Sequence, residues 1–133
     1  MEEARIRHIE MVQQVISRLA GNSFSLRGWS VVMVSAIFAL SAKEADAAYL
    51  AVALLPSLAF CFLDAYYLWQ ERLFRALYKA CIEGVDIPLF SMNTSLAGSD
   101  ETYLGALNSP TVLGFHMPVM LTVVAVAACT YLL

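Results

Sequence analysis

Asp64 is the residue whose type and position demand a chemical explanation. It is the one charge in residues 47–69, an otherwise apolar run long enough to cross a bilayer. An ionisable side chain at that depth is costly unless it is paired or hydrated, and it marks a functional position by default. If the first two apolar runs are antiparallel, Arg27 lies at a similar depth, and an Arg27–Asp64 pair would pin two helices together. In the competing arrangement several copies bring Asp64 into a polar ring around a pore. In a third, Asp64 is simply exposed at the membrane interface. A second group, Arg72, Arg75 and Lys79, forms a basic stripe at helical spacing just beyond this run, with Glu71 four residues before Arg75. Such a stripe suits anionic lipid headgroups, at about 1 kcal/mol per charge near the surface, or a specific protein partner. His8 and His116 stand alone, and no His, Cys, Asp or Glu set has metal-ligand spacing. There is no nucleophile elbow, phosphate-binding glycine loop or HExxH pattern. The sequence therefore predicts no catalytic residue, no cofactor and no metal, and a protein that is not an enzyme.

The elements that must position these residues follow from how charge is distributed. The chain has 133 residues, 60% hydrophobic and 14% charged, against roughly half and a quarter in soluble domains. The charges fall in clusters separated by long uncharged stretches, which is the pattern a bilayer imposes. The net charge of −3 argues against a nucleic-acid partner. Cys61, Cys81 and Cys129 are odd in number and scattered, and read as reduced, buried small residues. No signal peptide is expected, because the first apolar stretch follows a charged helical segment.

The predicted fold is all-α, an integral membrane bundle of an amphipathic N-terminal helix and three transmembrane helices. Residues 1–21 carry Ile6, Ile9, Val12, Val15, Ile16 and Leu19 at three- and four-residue steps. Gly21 and Asn22 read as a stop. The spans are residues 26–42, 47–69 and 111–133. Lys43 to Asp46 form a polar turn, and Pro56 predicts a kink or loosening of the second span. The second helix continues as an extension over 70–83, with an apolar face of Leu73, Phe74, Leu77 and Cys81, and Gly84 ends it. The N-terminal helix could lie in the headgroup plane, pack on this extension or bundle with other copies, and the last two are favoured because each would bury an apolar face. Residues 84–110 are a loop rich in turn residues, with a short helix near 100–107. The third span carries no charge and is roughly 34 Å long at 1.5 Å per residue.

Seven of the eight Lys and Arg residues, Arg5, Arg7, Arg18, Arg27, Arg72, Arg75 and Lys79, fall on one side of these spans, with Lys43 alone on the other. The positive-inside bias places the N-terminus in the cytoplasm and the C-terminus in the periplasm. Asn93-Thr94-Ser95 matches a glycosylation pattern but falls on the cytoplasmic side, and is discounted. Small residues recur along the spans, Ser35 and Ala39 in the first and Ala53, Ser57, Cys61 and Ala65 in the second. They allow close helix packing, either within one chain or between copies.

Three segments, Asn22-Ser23-Phe24-Ser25-Leu26-Arg27-Gly28-Trp29-Ser30-Val31, then Trp69 to Tyr78 (WQERLFRALY), then Pro88-Leu89-Phe90-Ser91-Met92-Asn93-Thr94, resemble a group of small, uncharacterised bacterial multi-pass membrane proteins, in the same order. They cover about a quarter of the chain, and the glycine- and serine-rich stretch after Thr94 has no counterpart. The resemblance implies a place in anti-phage defence loci beside a cytoplasmic sensor protein. The expectation is then a homo-oligomer in the cell inner membrane, with the lipid bilayer as its medium, acting as a pore-forming or membrane-perturbing effector. The competing expectation is a non-conducting scaffold that docks a cytoplasmic partner. A small-molecule transporter is less favoured, since the spans show no inverted repeat.

Overall fold

The computed structural model describes residues 2–44 and 48–132. Helix α1 (Glu2–Glu44) is followed by α2 (Ala48–Ile82), a 3-10 turn (Thr94–Ala97), the short α3 (Tyr103–Leu107) and α4 (Pro110–Leu132). Among the described residues three helical stretches are long and apolar enough to cross a membrane: Glu2–Leu40, Val52–Ile82 and Pro110–Cys129. The polar turn expected over 43–46 falls partly on residues 45–47, which lie outside the described residues.

The first difference from the sequence-based expectation is at Gly21. Helix α1 is 43 residues long and runs unbroken through Gly21 and Asn22. Glycine costs a helix about 1 kcal/mol relative to alanine. Contacts on both sides outweigh that cost. Before Gly21, Val12 and Ile16 pack on Leu77 and Cys81 of α2. After it, Ser23 and Arg27 bond to Asp64. A methyl group added at Gly21 meets nothing within 4 Å. Gly21→Ala is therefore expected to stabilise the protein by about 0.5–1 kcal/mol, read as a higher unfolding midpoint in detergent. A loss of stability would mean that Gly21 is a helix stop after all.

The length of these helices has a consequence. At 1.5 Å per residue α1 is roughly 65 Å long, about twice a hydrocarbon core of about 30 Å. Helix α2, with 35 residues, is also too long to be enclosed. Both must extend past one face of the bilayer if they cross it. Pro56 lies inside α2, and the helix continues through it.

Helix α2 is the centre of the bundle. It runs antiparallel to both α1 and α4, and these two hardly touch each other. Three apolar layers follow along it. Val12, Ile16, Leu77 and Cys81 form the first, flanked by Phe74, Tyr78, Ile87 and Met92. Cys61, Ala65 and Val112 form the second. Val34, Ala53 and Val123 form the third, at the far end. The surface around the last two is apolar: Leu55 is 72% and Leu121 60% exposed, as side chains facing lipid would be.

Turn chemistry closes the remaining ends. Gly84 adopts φ +82° just beyond α2. This left-handed residue lets Val85 N–H reach the Ala80 carbonyl at 3.0 Å. Arg5 of α1 caps the same helix end, its Nη2 donating to the Cys81 carbonyl at 2.8 Å. The Asn93 side chain accepts from Ser95 N–H ahead of the 3-10 turn, and Thr102 does the same for α3 from Gly105 N–H. Ser109 accepts from Val112 N–H, and Pro110 begins α4.

Candidate functional site

Asp64 is fully buried, and its carboxylate is the meeting point of all three long helices. From α1, Arg27 Nε donates to Oδ2 at 2.9 Å and the Ser23 hydroxyl donates to Oδ1. From α4, His116 Nε2 lies 2.8 Å from Oδ2. An ionised carboxylate only accepts, so the imidazole donates from Nε2. Positions 23 and 27 are one helical turn apart, which sets both donors on the face of α1 that meets α2. Antiparallel packing brings that face to the depth of Asp64.

The charge count closes within one chain. Arg27 neutralises Asp64 across 2.9 Å, and its side chain remains 25% exposed. The guanidinium also sits over the Phe115 ring, 5.8 Å from its centroid, adding a cation–π contact from α4. Two buried polar atoms have no hydrogen-bond partner among the described residues, His116 Nδ1 and Ser30 Oγ. The Ser23 hydroxyl bonds the carboxylate and not the imidazole, so the cluster lacks the serine–histidine contact that would activate a nucleophile. Among the described residues no group of three or more His, Cys, Asp and Glu could hold a metal ion.

No family model, curated protein or solved structure matches this chain. The reading of the site therefore rests on its geometry.

The other residues singled out in the sequence fall into two groups. Ala53, Ser57, Cys61 and Ala65 are all buried on one face of α2, where they pack within the chain. Ser57 further donates to the Ala53 carbonyl at 3.0 Å, which satisfies its hydroxyl in an apolar setting. Ser35 and Ala39 are exposed on α1. The basic stripe is neutralised. Arg75 pairs with Glu71 at 3.2 Å, Lys79 with Glu83 at 3.9 Å, and Arg72 with Glu101 at 3.6 Å. The last of these reaches across to the loop, and its effect is to hold that loop against α2.

The loop is tied down elsewhere too. Trp69 Nε1 donates to the Glu101 carbonyl at 3.3 Å, and the Tyr103 hydroxyl donates to the Phe62 carbonyl at 3.0 Å. Burial pushes the Tyr103 phenol above its ordinary pKa. Buried His8 bonds the Ser91 carbonyl at 2.7 Å. A cleft of about 660 Å³ lies between the start of α1 and residues 84–89, lined by Glu2, Arg5, His8 and Asp86 among others.

Sequence reasoning placed Arg27 opposite Asp64 and missed Ser23 and His116. A signal for His116 existed: it is the one histidine in the otherwise uncharged stretch 111–133. Ser23 carried none, because a serine near a helix start reads first as a cap.

Proposed function

We propose that the chain is an oligomeric inner-membrane protein whose assembled spans perturb or gate the bilayer, with its N-terminus in the cytoplasm. The observation that carries this reading is the fully buried Asp64 of α2, bonded by donors from both α1 and α4. A soluble bundle seldom encloses a carboxylate so completely, and in a membrane such a group defaults to function. Because one chain supplies every donor, the arrangement is the closed form, and a polar ring of Asp64 residues forms only when the cluster opens. Exposed Ser35 and Ala39 give α1 a surface on which a second copy can pack closely. The layer formed by the start of α1, the end of α2 and residues 84–108 is the side that receives a signal. A role in anti-phage defence is supported by the resemblance of the three segments alone.

The second reading is a non-conducting scaffold that docks a cytoplasmic partner. The cleft beside Arg5 and His8 and the well-tied loop favour it. Overexpression separates the two. The effector reading predicts growth arrest that Asp64→Ala abolishes in a variant that still inserts. Unchanged arrest in that variant removes Asp64 from the mechanism. Harmless wild-type protein, together with capture of a partner through residues 70–110, supports the scaffold.

A further inference from the structure

We propose that the Asp64–His116 contact is a proton-sensitive latch that holds α4 against the α1–α2 pair and lets go when His116 is protonated. The inference deepens the reading of the cluster as a closed gate, and rests on it.

The two nitrogens of the His116 ring sit in different surroundings. His116 is 1% exposed and its Nε2 is committed to Asp64 at 2.8 Å. Its Nδ1 is buried with no partner among the described residues. In the neutral imidazole that atom is a bare acceptor, a tolerable omission. In the imidazolium it becomes a charged N–H donor with nothing to receive it. A buried, unsatisfied donor on a cation is far more costly than an unsatisfied lone pair.

Charge balance gives the same sign. Among the described residues, the charged and titratable groups bonded to Asp64 or in the layer beside His116 are Arg27 from α1, Asp64 and Cys61 from α2, and Tyr103 from α3. The thiol and the phenol are uncharged at neutral pH. Arg27 already pairs with Asp64 Oδ2, so a protonated His116 would share that one carboxylate with it, and the cluster would carry a net charge of +1. That charge is relieved when the ring reaches water or headgroups.

The helix that moves is set by the packing. Helix α4 meets α1 at few places, so its attachment is to α2. Apart from the polar contact at His116, Met120 and Val119 of α4 pack partly buried against the apolar layers, whose centres are Val112 with Cys61 and Ala65, and Val123 with Ala53. Cys61, Ala65 and Ala53 are small, so the centres of these layers present little relief to oppose sliding or tilting. Arg27 would keep Asp64 paired to α1, so the α1–α2 pair survives the release.

The test uses the full chain reconstituted in lipid nanodiscs. Spin labels are placed through Val32→Cys on α1 and Leu121→Cys on α4, both exposed positions, with Cys129→Ser to remove the exposed native thiol; Cys61 and Cys81 are buried and stay. The distance is measured at pH 8 and pH 5. The latch predicts that the distance lengthens and broadens at pH 5, by on the order of 5 Å, the scale of a one-turn displacement. His116→Gln, which keeps a donor and cannot titrate, is expected to hold the pH 8 distance at both values. An unchanged wild-type distance overturns the latch by itself, whether or not the Gln variant inserts. An equal change in His116→Gln also overturns it. Ion flux is scored separately. Opening without flux keeps the latch and contradicts the effector reading, whereas flux with a pH-indifferent distance contradicts the latch alone.

Discussion

Asp64→Ala is expected to destabilise the folded bundle by about 3–5 kcal/mol, the usual cost of removing one partner from a buried ion pair. The substitution leaves Arg27 without its counter-charge, and His116 and Ser23 without their acceptor. Most of that loss is the penalty on the groups left behind, and the size of the effect does not measure what the pair contributes. The double variant Asp64→Leu with Arg27→Met separates the two terms. It removes both charges and leaves only neutral groups unpaired. Its stability is expected to return most of the way to wild type, since apolar replacements of buried pairs are often neutral or better. Unfolding midpoints in denaturant-titrated micelles give the comparison. A single variant as stable as wild type, or a double variant worse than the sum of its singles, would mean that the cluster does not bind the helices together.

Leu77→Ala carries the second large effect, at the other end of the molecule. Leu77 is fully buried between α1 and α2, against Val12, Ile16 and Cys81. Truncation there removes apolar contacts and leaves a cavity, at about 2–5 kcal/mol for a buried leucine. Ile82→Ala is the control. Ile82 is 52% exposed, and its change should stay within about 0.5 kcal/mol. Equal effects at the two positions would show that the ends of α1 and α2 are not packed on each other. Loss of this layer should also free residues 84–92, because Ile87 and Met92 rest on it and Arg5 caps α2 beside it.

What was legible in the sequence follows the range of the forces involved. The apolar runs were plain because a bilayer acts on many consecutive residues. The long second helix was plain too, since its periodicity continues from 47 to 82 and Gly84 follows it. Helix α1 was misjudged at its centre. Gly21-Asn22 is a local stop signal, and it lost to long-range contacts on either side. The Arg27–Asp64 pair was within reach because antiparallel spans fix relative depth. His116 was not, since the depth of the third span depends on how the 84–109 connection folds. Likewise the Arg72–Glu101 pair belongs to a fold-back that no periodicity encodes, and together with the two local pairs Glu71–Arg75 and Lys79–Glu83 it neutralises an apparent basic stripe.

Ion flux through liposomes carrying the purified full chain, with the oligomeric state measured in the same preparation, tests the central claim most directly. The account predicts flux from a defined oligomer, reduced at least tenfold by Asp64→Asn in a variant that still inserts and assembles. Tight liposomes holding a stable, correctly inserted oligomer would contradict it, and would leave the scaffold as the reading of this chain.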